Sequence, residues 1–246
     1  MKATLENNYL SDSDVANYAR QSFGKLAENF SNDDNHSLIR FLARGMRSGD
    51  WDSLIRRVLN CDNGMEAHEL LVYVRKIPEH WAPFAHPQLP FRLSAPIPIA
   101  RQAFKHKIRI VESEESRRYL SYEPVIYFPE FWRVAAQDVK QGSTNEAHTL
   151  NAQINDKYYE SCEKAKATYL WMIDIGVCPE QARLVLQQGT EVNWVLSGSL
   201  FAFSNLYNQR PASHAQLEIQ MLAEQLGEII APLYPVSWPA LTQGNY

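Results

Sequence analysis

One stretch of this chain alternates strictly between apolar and polar residues, whereas long segments on either side of it have helical periodicity. In residues 88–95 the apolar positions are Leu89, Phe91, Leu93 and Ala95. This pattern predicts a half-buried strand, and Pro90, which lacks an N–H, favours a strand at the edge of a sheet. Residues 108–111 and 125–128 are also rich in apolar and β-branched residues, which favours extended structure. Strands that share the chain with many helices predict an α+β fold, with a mixed antiparallel sheet and long helices, rather than a doubly wound sheet.

Apolar residues at steps of three and four predict helices over much of the remaining chain. The first helix is capped by Ser11 or Asp12 and carries apolar residues as far as Leu26, and a turn follows at residues 32–35. A short helix over residues 98–107 begins with a proline. Further helices are predicted for residues 38–46, 51–59, 65–77, 146–175 and 213–230. The helix over residues 146–175 is expected to face the core and to close at Gly176, because glycine adopts the left-handed conformation that ends many helices.

The composition limits the class of protein. A chain of 246 residues, 45% of them hydrophobic, can bury a sizeable core, and we expect one domain over residues 1–246. A net charge of -4 argues against a nucleic-acid partner, because binding to a phosphate backbone needs a basic excess. Cys61, Cys162 and Cys178 are too widely spaced for a disulfide framework or a metal site, and His80 and His86 have no third ligand at a sensible spacing, so we expect no metal. Neither a signal peptide nor a membrane span is recognisable, which predicts a cytoplasmic protein.

Dense opposite charge between residues 105 and 118 indicates a candidate site. In the predicted helix over residues 98–107, Gln102 and His106 share one face because they are four residues apart. Ser116, Arg117 and Arg118 add a hydroxyl and two guanidiniums, which are groups that bind phosphate. The alternative is a solvated turn in which three glutamates neutralise the cations. Spacing alone favours that alternative, because charged surface runs are common.

The segment Lys105-His106-Lys107, followed by Ser113 to Tyr119, resembles the signature of the flavin-dependent thymidylate synthases, the ThyX family. That signature consists of Arg-His-Arg, a short spacer, Asn-Glu, a variable residue, Ser, a variable residue, Arg and Tyr. In this chain both flanking arginines are lysines, Ser113 replaces the asparagine, and the spacer is one residue longer, as in a divergent branch. Lysine lacks the planar donor fork of arginine, so contacts at Lys105 and Lys107 would be those of point charges.

Three further segments resemble elements of the family and occur in the family's order. They are residues 80–84 (His-Trp-Ala-Pro-Phe), residues 180–186 (Glu-Gln-Ala-Arg-Leu-Val-Leu), and Arg210 followed by residues 213–219 (Ser-His-Ala-Gln-Leu-Glu-Ile). Ala82 stands where the family has a hydroxyl residue, and Gln187 stands where it has proline. Residues 33–63 exceed the family pattern, which suggests a helical insertion.

The resemblance also implies roles for individual residues. Those expected to contact the flavin are His80, Lys105, His106, Lys107, Asn205 and His214. Those expected to contact the deoxynucleotide are Gln102, Glu114, Ser116, Arg117, Arg118, Arg183 and Arg210. Of these, Ser116 and Arg210 are the candidate catalytic residues. The Ser116 hydroxyl would hold the nucleotide phosphate, and Arg210 would stabilise negative charge as C5 of the pyrimidine becomes nucleophilic.

The reaction implied by the resemblance is the methylation of dUMP to dTMP. The family takes its one-carbon unit from methylenetetrahydrofolate and its hydride from FADH2, which NADPH regenerates, and it needs no cysteine nucleophile. A homotetramer with active sites between subunits is implied as well, in the cytoplasm of a bacterium or of a phage-infected cell. Two alternatives stay open. One is an enzyme of the same fold that acts on a different pyrimidine nucleotide or gives a hydroxymethyl product, and the other is a non-catalytic module that binds nucleotide or nucleic acid.

Overall fold

The structure, a computed structural model, describes residues 1–7, 10–43, 56, 59–60, 68–69, 80–136, 143–210 and 215–242. The strands in these ranges are β1 (Lys2–Leu5), β2 (Gln88–Pro96), β3 (Ile110–Glu114), β4 (Arg133–Ala135), β5 (Ser143–Ala147) and β6 (Glu191–Ser199). The helices are α1 (Asp12–Gln21), α2 (Asn32–Ala43), α3 (Ala82–Ala85), α4 (Ile97–Ala103), α5 (Asn151–Asp174), α6 (Pro179–Ala182), α7 (Leu200–Gln209), α8 (Leu217–Ile230) and α9 (Ser237–Thr242). No helix among the described residues is long and apolar enough to cross a membrane.

Four strands form an antiparallel sheet in the order β1-β2-β6-β3, and β4 pairs with β5 separately. The predicted α+β class is therefore confirmed. The alternation predicted for residues 88–95 is confirmed too, because the apolar positions of β2 are buried while Gln88 and Arg92 are exposed. The strand predicted from residue 108 begins two residues later, at Ile110, and in residues 125–128 only Ile126 forms a bridge, to Thr190.

The edge position that Pro90 suggested for β2 is wrong. This strand lies inside the sheet, between β1 and β6. The proline is tolerated because it lies just past the last residue pair with β1, which joins Leu5 to Phe91. At that point the Pro90 carbonyl still accepts a hydrogen bond from the backbone N–H of Glu6 at 2.9 Å, so the missing donor falls where the ladder ends.

The core lies on one face of the four-stranded sheet, where α7 and α8 pack, and α9 packs against α7. Phe91 of β2 meets Phe203 of α7 edge to face, with ring centroids 5.0 Å apart. Leu222 and Leu226 of α8 belong to the same buried cluster. The opposite face of the sheet carries polar side chains, among them the exposed Arg92 and Asn193. Burial on one face explains the two-residue period of β2.

The first helix is capped by Ser11 as predicted, and the Ser11 backbone N–H donates to Asp14 Oδ2 at 2.8 Å. The helix ends at Gln21, so Leu26 lies beyond it and is largely exposed, contrary to the prediction. The predicted turn at residues 32–35 is also wrong, because α2 begins at Asn32. The Ser31 hydroxyl donates to Asp34 at 2.7 Å, so this polar run begins a helix instead of ending one.

The long helix α5 begins at Asn151 and not at residue 146, because residues 143–147 form strand β5. Its predicted end is confirmed, since Gly176 has φ +88°. The expectation that it faces the core holds only in part, because Ile154, Tyr158 and Met172 on the predicted apolar face are half-buried. Only Cys162 and Tyr169 are buried in this helix.

The helix predicted for residues 98–107 spans Ile97–Ala103. Lys105-His106-Lys107 therefore follows the helix, and Gln102 and His106 do not share a helical face. Residues 33–43 belong to α2, which packs against α1 and α9. The helices predicted for 51–59 and 65–77, and the start of the one predicted for 213–230, fall largely or wholly outside the described residues.

Candidate active site

Two distant parts of the chain meet beside the end of α4. Arg210 forms the C-cap of α7, and its Nε donates to Nε2 of His106 at 2.9 Å while its Nη2 donates to the carbonyl oxygen of Gln102 at 3.0 Å. The Gln102 side chain in turn donates to Oε1 of Gln216, the N-cap of α8, at 2.6 Å. Three residues expected in the site are thus in one contact group, which the fold assembles from three segments.

The protonation state of His106 follows from this contact. Its Nε2 accepts a hydrogen bond from Arg210, so the ring proton lies on Nδ1. Burial of the ring, together with the positive charge of Arg210, lowers the pKa of His106 to about 4. Burial also lowers the pKa of Arg210, although a guanidinium stays charged at neutral pH. At pH 7 the site therefore presents one positive charge beside a neutral imidazole.

Glu180 holds two of the predicted nucleotide-binding arginines. Its carboxylate Oε2 accepts from Nε of Arg118 at 2.8 Å, and its backbone carbonyl accepts from Nε of Arg183 at 3.3 Å. Helix α6 places it there, with Pro179 at the first helical position. Both arginines are bound through Nε, which leaves their terminal amino groups for an anion.

Glu114 ends strand β3 near a pair of guanidiniums. Burial raises the pKa of its carboxyl, and the nearby positive charges of Arg101 and Arg183 oppose that rise. Arg101 also donates to Oε1 of Gln188 at 3.3 Å. The arrangement links β3, α4 and the segment after α6, and it places Arg183 close enough to Glu114 for its charge to act on that carboxyl.

Arg117 is placed differently from its predicted role. Its Nη1 donates to the carbonyl oxygen of Tyr122 at 2.8 Å, and its guanidinium lies over the rings of Tyr122 and Tyr169, 4.8 and 5.7 Å from their centroids. These contacts keep the Arg117 guanidinium packed against Tyr122 and Tyr169. The neighbouring Ser116 hydroxyl accepts from the backbone N–H of Arg118 at 3.3 Å.

The residues expected to contact flavin are spread over several elements. His80 precedes α3, with its ring 6.5 Å from that of Phe41. Lys107 pairs with Glu112, whereas Lys105 is exposed just after α4. Asn205 is half-buried in α7. His214 lies outside the described residues. Among the residues that the structure describes, His80, Lys105, Lys107 and Asn205 do not hydrogen-bond to one another.

Arg109, Trp81 and Phe201 form a stack of side chains. The guanidinium carbon of Arg109 is 3.5 Å from the centroid of Trp81 and 5.0 Å from that of Phe201. Trp81 follows His80 in sequence, and Phe201 precedes Asn205 by one helical turn, on the same face of α7. Trp81 is 41% exposed, so the stack is open to solvent.

A cavity of about 740 Å³ lies over the outer face of the sheet and is lined by residues that include Arg92, Ser94, Glu114 and Asn193. No group of three or more His, Cys, Asp or Glu suited to a metal ion occurs in the part of the chain that the structure describes. The cavity is large enough for a nucleotide-sized ligand. Glu114 connects it to the arginines around Glu180.

Several residues of this region were missed by the sequence reasoning. Glu180 and Gln216 lie inside segments that the motifs covered, but each acts on another site residue and so carries no signal of its own. Trp81 and Arg109 were missed for a different reason. Their contact joins two loops that are far apart in sequence.

The fold matches solved structures of a nucleotide methylase. A UMP/dUMP methylase, PolB from Streptomyces cacaoi bound with 5-Br dUMP, superposes with a TM-score of 0.74 at 26% sequence identity, over 97% of this chain and 93% of that chain. The same enzyme bound with 5-Br UMP gives a TM-score of 0.72, also at 26% identity, over 99% and 94% of the two chains. The chain therefore has the fold of this class of nucleotide-modifying enzymes.

The relatives found by sequence have names that specify an activity more narrowly than the structural match does. The flavin-dependent thymidylate synthase of Thermosipho melanesiensis is 29% identical over 182 residues, 74% of this chain and 79% of that protein. The one of Kosmotoga olearia is 31% identical over 170 residues, 68% and 73% of the two chains. The family model described as thymidylate synthase complementing protein matches residues 5–236. The chain belongs to this family, and the resemblance drawn from the motifs is confirmed.

Proposed function

We propose that this chain methylates dUMP to dTMP, with methylenetetrahydrofolate as one-carbon donor and with FAD, reduced by NADPH, as the source of the hydride. The observation that carries the proposal is the family match over residues 5–236, within which Arg210, His106 and Gln102 are in direct contact. The relatives from Thermosipho melanesiensis and Kosmotoga olearia, both named flavin-dependent thymidylate synthases, support the same activity.

The nucleotide phosphate would be bound by Arg118 and Arg183. Both donate through Nε to Glu180, which fixes their orientation and leaves their Nη groups for phosphate oxygens. The Ser116 hydroxyl, next to Arg118, adds a donor. Glu114 would orient the sugar or the neighbouring guanidiniums. Arg117 contributes less, because it is bound to the Tyr122 carbonyl.

Arg210 would act on the pyrimidine. Its charge, held by the His106 ring and the Gln102 carbonyl, is placed before the reaction begins, so it would stabilise negative charge on the ring as C5 attacks the one-carbon donor. Because His106 is neutral at pH 7, it places no second, repelling positive charge beside Arg210. Catalysis then rests on positioning and electrostatics.

The flavin-binding residues fit a cofactor that combines an aromatic ring system with phosphates. Lys105 and Arg109 are exposed cations, and Trp81 offers an exposed ring near His80 and Asn205. When bound, FAD supplies the hydride that completes the methyl group. His214 is proposed as a further contact from the family motif alone.

A cysteine nucleophile is not part of the proposal. Cys162 is buried in α5 with Sγ 2.9 Å from Oε1 of Gln187, and burial raises the pKa of its thiol, which disfavours the reactive thiolate. Cys178 precedes α6 and is exposed. Within the part of the chain that the structure describes, neither cysteine hydrogen-bonds to Arg118, Arg183 or Arg210.

The assembly proposed is a homotetramer with active sites between subunits, built from one catalytic domain per chain. Two features support a partner chain. The side chains of Trp171 and Ile175 at the end of α5 are 60% and 55% exposed, and the cavity beside Glu114 is open on the outer face of the sheet. The proposed compartment is the cytoplasm of a bacterium or of a phage-infected cell.

A second candidate is an enzyme that also accepts the ribonucleotide. It is favoured by the match to PolB, which is named a UMP/dUMP methylase. The two substrates differ only in the 2′-hydroxyl, so one pocket with room and a hydrogen-bond partner at that position would accept both. A hydroxymethyl product is the remaining variation, motivated by Ala82, Gln187 and the two lysines of the signature.

An anaerobic visible spectrum tests the proposal. Purified protein with FAD is reduced by NADPH, with and without dUMP, and the products formed after addition of methylenetetrahydrofolate are identified by mass. Bleaching that responds to dUMP, followed by dTMP, is the expected result. Parallel incubations with UMP decide between the two candidates. A protein that binds no flavin, and instead binds DNA in a strongly salt-dependent way, would support the non-catalytic alternative.

A further inference from the structure

Arg109 has φ 61°, and it is the one residue other than glycine with a positive φ in the described ranges. Side chains that carry a Cβ rarely adopt this left-handed conformation. Such a residue persists where the surrounding structure holds it in place, and these positions are concentrated at functional sites. The role of Arg109 therefore needs an explanation.

The sequence explains why a turn is needed at this point. The spacer between Lys105-His106-Lys107 and Glu114 is one residue longer than in the family signature, and Arg109 lies inside it. Strand β3 begins immediately afterwards, with Ile110 opposite Gly198. A Cβ at Gly198 would lie 3.1 Å from the Arg109 carbonyl oxygen, so the glycine makes room for the turn. The left-handed residue takes up the extra length before the strand pairs.

The same turn fixes the side chain. The Arg109 guanidinium stacks 3.5 Å from the centroid of Trp81 and lies 5.0 Å from that of Phe201, and the two rings are themselves stacked at 6.3 Å. Within the described residues it forms no ion pair with a carboxylate, unlike Lys107, which pairs with Glu112. Its N–H groups are therefore held in a fixed orientation and remain open to a ligand from solvent.

The position of this cation suggests its ligand. We propose that Arg109, braced by Trp81 and Phe201, binds the pyrophosphate of FAD and supplies the planar donor fork that the two lysines of the signature lack. Of the proposed flavin contacts, His80 directly precedes Trp81 in the sequence, and Asn205 lies one helical turn after Phe201 on α7. A guanidinium binds phosphate oxygens in bidentate fashion, which an ammonium does not. This inference rests on the proposed function, because it assigns part of the cofactor site of that enzyme.

Equilibrium titrations with FAD and with riboflavin, which has no phosphate, test the assignment. Flavin fluorescence gives Kd for the wild type, Arg109→Ala, Arg109→Lys and the control Arg20→Ala. Arg20 is a matched control because its guanidinium lies 3.5 Å from the Phe30 centroid, in the same kind of stack. We expect Arg109→Ala to raise Kd for FAD about 10- to 100-fold. Arg109→Lys should lie between the two, and Arg20→Ala should match the wild type.

A second readout separates a phosphate contact from a structural effect. Riboflavin affinity should be unchanged in Arg109→Ala, and the dependence of FAD binding on salt should become shallower. An unchanged Kd for FAD, or an equal loss for FAD and riboflavin, would overturn the assignment of Arg109. If the wild type itself binds no FAD, the proposed function fails as well. The two failures are therefore distinguishable.

Discussion

Replacing Arg210 by alanine should change both the chemistry and the titration of His106. In the wild type, burial and then the Arg210 charge lower the pKa of His106 from 6.5 to about 4. Between these values the unfolded chain binds a proton that the folded chain does not, so stability is complete above pH 6.5 and falls as the pH is lowered towards 4. At about 1.4 kcal/mol per pKa unit the loss is at most about 3 kcal/mol, and about 2 kcal/mol when solvent screening of the half-buried ring is allowed for.

The alanine variant removes the charge but not the burial, so the pKa of His106 should rise and still stay below its ordinary value. Arg210→Lys keeps a charge at this position and should leave the pKa low. Ring carbon–proton NMR titrations of the protein without ligands, assigned with His106→Gln, give these values directly. Urea unfolding between pH 4 and 7 should show a shallower loss of stability in Arg210→Ala than in the wild type.

Turnover provides the second part of this test. If Arg210 stabilises the charge that develops on the pyrimidine, thymidylate formation should fall at least about 100-fold in Arg210→Ala while the far-ultraviolet circular dichroism is unchanged. Normal turnover would refute its catalytic role. A His106 pKa that is the same in Arg210→Ala and in the wild type would refute the electrostatic reasoning, whatever the turnover.

Three further substitutions test the packing that positions the site. Gly189→Ala places a Cβ 1.8 Å from Tyr158 Oη, so the free energy of unfolding should fall by about 1 to 3 kcal/mol in thermal unfolding. Adding Tyr158→Phe to the same chain should partly restore it, and an unchanged Tm in Gly189→Ala would contradict this. Asp12→Asn should lower the free energy of unfolding in urea by about 1 to 3 kcal/mol, because the buried carboxylate accepts hydrogen bonds from the backbone N–H groups of Val236 and Ser237 at 2.7 and 2.9 Å. Stability equal to that of the wild type would show that these bonds are dispensable. Glu218→Gln breaks a largely buried ion pair with Arg133 at 2.9 Å and should cost about 3 kcal/mol. Burial opposes ionisation of Glu218, but hydrogen bonds from Arg133 keep its pKa below the ordinary 4.5. The stability that the ionised carboxylate contributes is therefore present above that pH and is lost on acidification. A Glu218→Gln variant that unfolds with the same pH dependence as the wild type would argue against the pair.

The local structure could be predicted where each residue's state depends on near neighbours. The alternation in residues 88–95 identified β2, and Ser11 identified the start of α1, because strand faces and helix caps involve residues two to four positions apart. Gly176 ended α5 for the same reason. The motifs also identified the family, since a match spread over four segments is not produced by composition.

Longer-range features could not be predicted in this way. Pro90 indicated an edge strand, but β2 lies inside the sheet. It does so because β1, which is 80 or more residues away in the chain, pairs with it and ends just before Pro90. The apolar periodicity of α5 indicated a core helix, although only Cys162 and Tyr169 are fully buried in it. A periodic pattern reports that a face is apolar and does not report what covers it.

The sequence by itself determined the α+β class and the family, and it supplied the candidate residues proposed to bind nucleotide and flavin. Only the tertiary structure decided how those residues contact one another. Arg210 reaches His106 across 104 positions, and Arg118 reaches Glu180 across 62. Arg109 became a candidate ligand only because the register of β3 against β6 forces a left-handed turn that places its side chain on Trp81. Contacts of this kind are fixed by how sheets and helices pack, so they do not follow from the preferences of neighbouring residues.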